Sequence, residues 1–392
     1  MKSAGIINAL WNTFHREIRR LVSRRIYIFT MIIVPIFSFV FFLTLLRDGL
    51  PHRLSVAVID NDYSSTSREL TRQLTAYNTL DITTRYRNFT EARQAMQRGE
   101  IFGFLSIPDD FEADLFAERQ PQIAYFTNET YFIPGALIYK SLTTMTTLAS
   151  GVVVKQNLLV QGEYDRDITA QLQPIPVDMH PLGNPWINYS IYLNNNFLPG
   201  ILELLILLTT LFSIGTEIKY STSREWLLSA HNNILLAIAG KLLPQTIIFF
   251  AMGCLCLSLL YGYSDFPLLC GAWPMLTAML LFVLAVQGLG VFLFCLLPSL
   301  RVSLSVASLL GVVSFSLTGF SFPAEAMYST FRLWSDILPL RHYFLIYAEQ
   351  ALNGASLFYS RIHYIALLIY ALLPLPFLPL LKRALQQQVY LP

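Results

Sequence analysis

Few residues of this chain are spaced for bond chemistry. Gly240-Lys241 is followed by Leu242 and lacks the upstream glycine of a Gly-x-x-x-x-Gly-Lys-Ser/Thr loop, so the chain alone builds no phosphate cradle. No Gly-x-Ser-x-Gly and no His-Glu-x-x-His occurs. His15, His52, His180, His231, His342 and His363 are scattered, and Cys254, Cys256, Cys270 and Cys295 fall in or beside apolar stretches without metal-ligand spacing. The cysteines read as small apolar residues. Neither a catalytic constellation nor a metal centre is expected.

Four features remain, and each concerns docking, lipid or burial. Glu217, Lys219, Thr222, Arg224 and Glu225 adjoin Trp226, Leu227, Leu228 and Ser229, so charge and an apolar anchor share one short amphipathic segment suited to a partner's groove or to a polar loop. Near the N-terminus, Ile6, Ile7, Leu10, Trp11, Phe14, Ile18, Leu21 and Val22 recur at helical spacing, with Arg16, Arg19, Arg20 and Arg24 on other faces. That pattern predicts an interfacial helix lying on a membrane's inner leaflet. Glu203 sits inside an apolar run, where an ionised carboxylate costs at least ~2.5 kcal/mol; lining a substrate path, pairing across a dimer interface and a structural hydrogen bond all fit it. Gly319 to Leu340, with Pro323 and Pro339 flanking Trp334, is too interrupted to span as a helix, and irregular backbone at membrane depth must be buried in protein or line a cavity. A re-entrant hairpin near the outer face is expected there.

The elements that must hold these residues are mostly membrane helices. Of 392 residues, 54% are hydrophobic and 13% charged, about half the charge of a soluble domain. Six apolar stretches have spanning length: Ile26 to Leu46, Phe197 to Ile214, Ile234 to Tyr261, Ala272 to Leu297, Val302 to Phe320 and His363 to Leu381. The first is too long for a signal peptide's apolar core, and no small-x-small site follows it, so an uncleaved anchor is expected. Lys2, Arg16, Arg19, Arg20, Arg24 and Arg25 against Glu17 put the N-terminus inside. Residues 47–193 carry 12 basic and 17 acidic residues and lie outside. Six spans bring Lys382 and Arg383 back inside.

The expected organisation is therefore a polytopic α-helical membrane protein: an amphipathic cytoplasmic helix (1–25), a first span (26–46), an inserted extracytoplasmic α/β domain (47–193), a five-helix membrane domain (194–382) and a cytoplasmic tail (383–392). Within the membrane domain, 215–233 is a cytoplasmic segment and 319–340 the re-entrant region. In the inserted domain, Leu54 to Asp60, Leu80 to Arg87, Phe102 to Ile107 and Gln122 to Thr127 read as strands. Thr66 with Glu69, and Asn88 with Glu91, have capping-box spacing at two helix starts. Pro134 to about Leu159 reads as a stalk-like helix, and Pro174, Pro176, Pro181 and Pro185 mark an irregular return.

Three stretches resemble permeases of the ABC-2 type exporter family. Ser221-Thr222-Ser223-Arg224-Glu225-Trp226-Leu227-Leu228-Ser229 is similar to the family's Gly-Thr-x-Glu-x-Leu-x-x-Ser-Pro signature, with Ser221 in place of Gly and Ala230 in place of Pro, and Lys241 matches the lysine that opens the third span. Val56-Ala57-Val58-Ile59-Asp60 with Ser67-Arg68, then Phe102 to Phe111, resembles its extracytoplasmic domain. Leu317 to Pro323 with Met327 resembles its Ser-Gly-Phe-x-Phe-Pro segment.

The resemblance implies a permease subunit in a bacterial inner (cytoplasmic) membrane that exports a lipophilic or amphipathic compound. It implies that residues 217–229 form a coupling helix contacting a separate ABC ATPase, which binds the ATP and Mg; no cofactor is expected in this chain. A second copy or sibling permease, membrane lipid and a periplasmic adaptor are the other partners in view, and no nucleic acid. Glu203, Gly319, Phe320, Phe322 and Pro323 become the expected translocation path or dimer interface. The alternative from another class is a membrane-anchored receptor or signalling protein whose α/β domain binds a ligand or partner.

Overall fold

The computed structural model describes residues 2–117, 119–160, 172, 180, 182–185 and 187–387. It is mostly helical and divides into two units, one of Met1–Gly49 with Pro181–Pro392 and one of Leu50–His180. The irregular return after the α/β unit falls largely outside the described residues. The first unit opens with α1 (Lys2–Ser23) and α2 (Arg25–Leu45), separated by an extended Arg24. Helix α2 contains one π turn at Phe29–Ile33, just before Pro35, whose missing N–H the looser turn accommodates.

The second unit is an α/β layer: β1 (Leu54–Asp60), α3 (Ser65–Thr75), β2 (Leu80–Thr83), α4 (Phe89–Gln97), β3 (Gly103–Ile107), α5 (Phe111–Phe116), β4 (Ala124–Thr127) and α6 (Phe132–Val160). The sheet order is β2-β1-β3-β4, parallel except for antiparallel β4. Alternation along β1 sends Leu54, Val56 and Val58 into one core, with Leu70, Leu74, Ile138 and Leu142, and Ala57 and Ile59 into another with Ala92, Ala95 and Phe104. Strand β2 stops at Thr83, short of Arg87. Asn88 caps α4, as its spacing predicts, by accepting from Glu91 N–H. The cap of α3 is Ser64 rather than Thr66: Ser64 Oγ accepts from Ser67 N–H, and Glu69 turns instead to Arg72 and Gln73.

The first unit resumes with α7 (Tyr189–Lys219), α8 (Ser223–Ser229), α9 (Ile234–Leu257, extended by a π turn to Tyr263), α10 (Ala272–Leu296), α11 (Leu300–Leu317), α12 (Ser329–Asp336), α13 (Pro339–Ile346, extended by a π turn to Leu352), α14 (Leu357–Leu372) and α15 (Leu378–Gln387). Among the described residues seven helices are long and apolar enough to cross a membrane, one more than the sequence suggests. The extra one is α6, which has no charged residue from Ser141 to Val154, yet Ile138, Leu142 and Met145 lie in the core of the α/β unit. Helix α7 outruns its apolar stretch at both ends, because Asn194, Asn195, Asn196 and Glu217 break the hydropathy but are all buried inside the bundle. Gly288 of α10 lies against the backbone of α14, where a Cβ would stand 2.2 Å from Tyr370 O.

Candidate functional site

At the end of the bundle where α1, α7 and α9 meet, five charged side chains close on one another. Lys241, in the second turn of α9, has no solvent exposure; its Nζ donates to Glu17 Oε2 at 2.7 Å and to Glu217 Oε1 at 2.8 Å. Glu217, in the last turn of α7, also receives a two-pronged bond from Arg16 (2.8 and 3.0 Å) and bonds from Arg20 and Thr222. Glu17 accepts further from Ser213 Oγ at 3.0 Å and Gln245 Nε2 at 3.1 Å. Two carboxylates thus face three cations in a place with almost no water. Isolated charges there would be prohibitive, and paired ones with their remaining lone pairs filled are tolerable.

The local sequence explains the convergence. On α1, Ala9, Thr13 and Glu17 recur every four residues and form a buried stripe against α9. The contact is close because Gly240 lies opposite: a Cβ there would stand 2.7 Å from Thr13 Cβ. The apolar stripe of Ile7, Trp11, Ile18 and Val22 stays exposed on another side of α1, as an interfacial helix requires.

The sequence-derived docking residues are distributed in two directions. Lys219, Arg224, Glu225 and Leu228 are exposed, with Leu228 at 71%. Trp226 and Leu227 are buried: the Trp226 indole N–H donates to Ala237 O at 3.1 Å, and the Lys241 ammonium sits 4.6 Å above its ring. Trp226 therefore anchors α8 to its own bundle. Thr222 is half-buried against Glu217, and Ser229 Oγ meets Thr13 Oγ1 at 3.2 Å. Helix α15 braces α8 from the other side, with Leu385 O accepting from Ser223 Oγ at 2.7 Å. On α1, Trp11 stacks beside Phe14, Arg19 is exposed, and Arg16 and Arg20 turn inward to Glu217.

Glu203 and the 319–340 set lie apart from this cluster. Glu203 is enclosed between α7 and α11 of one chain, where Ser314 Oγ donates to it at 2.8 Å. Phe320 packs against Tyr192, Phe197 and Phe315, while Phe322 and Pro323 are exposed. Gly319 has φ +94°, and Arg341 Nη1 occupies the space a Cβ would need while donating to Thr318 O at 3.1 Å. Arg341 Nε also donates to Asp336 Oδ1, tying α12 to α13. The buried leg of this region runs from Leu338 to Ala351, beyond the expected limit at Leu340.

Glu17, Ser213 and Gln245 went unrecognised by sequence reasoning. Glu17 offered a weak signal, being the one acid among six N-terminal bases. All four cysteines are free, and among the described residues no His, Cys, Asp or Glu group could hold a metal ion.

A family model described as ABC-2 family transporter protein matches residues 25–377. Among curated proteins no match to this chain is found. The matched span takes in the first apolar helix, the α/β unit and every later membrane-capable helix up to Phe377. The chain belongs to the ABC-2 transporter family and is a helical membrane protein of the kind that works within ABC transporter machinery alongside an ATPase partner.

Proposed function

We propose that this chain is the permease subunit of an ABC exporter, carrying a lipophilic or amphipathic compound outward on ATP hydrolysed by a separate subunit. In this reading α2, α7, α9, α10, α11 and α14 with α15 are the six spans. The α/β unit stands outside a bacterial cytoplasmic membrane, where an adaptor would meet it, and both termini lie inside. Two permeases, identical or sibling, enclose the path. ATP and Mg stay with the partner, and this chain hydrolyses nothing. The positive residues of α1 and the acidic balance of 47–193 support that orientation.

The observation that carries the reading is the Glu17–Lys241–Glu217 cluster. The exposed side chains Arg224, Glu225 and Leu228 lie on α8, which Trp226 holds to α9 and Ser229 to α1, while Thr222 at its start bonds Glu217 of the ion-pair cluster that joins α1, α7 and α9. A push on α8 by a partner passes to three helices at once, and a bundle with two packings would change its balance between them. The test is co-expression of this chain with a candidate ABC ATPase subunit from the same genome, followed by tandem purification. A stable complex in which Arg224→Glu and Leu228→Asp reduce ATPase binding at least tenfold supports the reading. Nucleotide hydrolysis by the chain alone, or labelling of an engineered cysteine at Leu228 from outside intact cells, would overturn it.

A further inference from the structure

At the elbow between α1 and α2, two cations converge on one aromatic ring with no carboxylate between them. The Arg24 guanidinium lies 4.6 Å and the Lys219 ammonium 5.7 Å from the centroid of the Tyr220 ring. Arg24 is the extended residue that breaks the helix between Ser23 and Arg25, and Tyr220 closes the last turn of α7. Both charges are therefore fixed at places where a membrane-capable helix begins or ends. Two carboxylates of this end are occupied elsewhere: Glu17 and Glu217 are enclosed by Lys241, Arg16 and Arg20. Among the described residues, Arg24 and Lys219 form no ion pair, and neither does exposed Glu225.

Two like charges held on the same ring repel unless an anion sits between them. The ring's face attracts each cation by roughly 0.5–1 kcal/mol at an exposed site, less than a charge-assisted hydrogen bond to an anion contributes. A guanidinium fork beside a point-charge ammonium suits a phosphate oxygen set. The depth selects the source: lipid phosphates lie where apolar helices end, and the exposed Ile7, Trp11 and Val22 of α1 lie along the same interface. We propose that Arg24, Lys219 and the Tyr220 ring form a site for the phosphate of an anionic phospholipid headgroup in the inner leaflet. The bound lipid pins the α1–α2 elbow to the end of α7. The inference rests on the cytoplasmic orientation of α1 given above, and concerns no property of the ATPase.

The experiment uses the purified full chain without its partner, in phosphatidylcholine nanodiscs titrated with phosphatidylglycerol, reading lipid retention by native mass spectrometry and stabilisation by thermal shift. Arg24→Gln with Lys219→Gln should weaken phosphatidylglycerol retention by about fivefold per cation removed, leaving phosphatidylcholine unchanged. Lys219→Gln alone, a change at an exposed position, gives the same sign should the double variant be poorly folded. Arg19→Gln, an exposed cation of α1 outside the site, should change retention less than twofold. Unchanged phosphatidylglycerol binding in the double variant overturns the site. So does an equal loss with Arg19→Gln, which would mean diffuse charge, or displacement by millimolar inorganic phosphate, which would mean a solution anion. Failure of the exporter reading leaves the lipid titration untouched.

Discussion

Lys241 and Glu17, 224 positions apart, meet at 2.7 Å with essentially no exposure of either side chain. Removing one partner of such a pair strands the other. Lys241→Met should therefore cost about 3–5 kcal/mol, read as a lowered thermal midpoint of the purified chain. Lys241→Met with Glu17→Gln should recover a large part of that loss, because Arg16 and Arg20 still hold Glu217. Equal destabilisation in the double and single variants would show that the ion pair itself is not what the lysine serves.

Trp226 and Leu228 stand two residues apart on α8 and face opposite ways, buried and exposed. Truncation separates their roles. Trp226→Ala removes a large fully buried ring and should cost roughly 3–5 kcal/mol, whatever the partner. Leu228→Ala should leave the thermal midpoint within a degree or two and lower retention of the ATPase subunit in pull-downs. A Leu228 variant that unfolds early, or a Trp226 variant with a normal midpoint, would reverse the assignment.

Much of the architecture could be read from residue order, and the reasons are local. Strands Leu54–Asp60 and Gly103–Ile107 are short apolar runs buried on both faces of the sheet, and Asn88 stands three residues before the Glu91 whose N–H it caps. The apolar runs give the spans because membrane length is a simple requirement. What escaped was tertiary. In a membrane bundle the apolar faces of helices look outward to lipid, and small or polar residues look inward. The buried stripe of α1 is therefore Ala9, Thr13 and Glu17, while Trp11 and Val22 are exposed. A hydropathy reading ranks those faces in the reverse order. Glu17's partners lie on α7 and α9, about two hundred positions onward, and no spacing rule reaches so far. The α3 cap shows a second cause: Ser64 and Thr66 both offer a hydroxyl at the start of the helix, and the Thr66–Glu69 spacing favoured the wrong one.

Two glycines should respond to the same substitution with opposite signs. A Cβ on Gly288 would lie 2.2 Å from Tyr370 O and 2.9 Å from Ala371 Cα, both backbone atoms of α14 that cannot rotate away. Gly288→Ala should part α10 from α14 and destabilise by about 1–3 kcal/mol or more. A Cβ on Gly151 in α6 would meet nothing within 4 Å. Gly151→Ala should stabilise that helix by up to ~1 kcal/mol. Thermal unfolding of both variants checks the pair, and a neutral Gly288→Ala would mean that the helices separate more easily than their packing implies.

Glu112 joins α5 to the start of α3, accepting from Ser65 Oγ at 2.6 Å, Thr66 Oγ1 at 2.5 Å and Thr66 N–H at 3.2 Å. The Ser65 hydroxyl, then that of Thr66, favour the charged carboxylate and hold its pKa below the ordinary glutamate value. A depressed folded pKa means that the contribution to stability is complete above the unfolded value, near about 4.3. It is lost as pH falls through the lower folded value. Hydrogen exchange at the Thr66 amide should therefore be steady, after correction for intrinsic rates, from pH 7 to about 5. It should lose protection as pH is lowered further toward 3. Glu112→Gln keeps the shape but not the charge, so it should exchange faster at pH 7 and show a flatter acid dependence. Acid loss of Thr66 protection that is identical in Glu112→Gln would place its origin in Glu69 or Glu100, whose pKa values are also lowered, chiefly by the hydrogen bonds from Arg72 and Arg98.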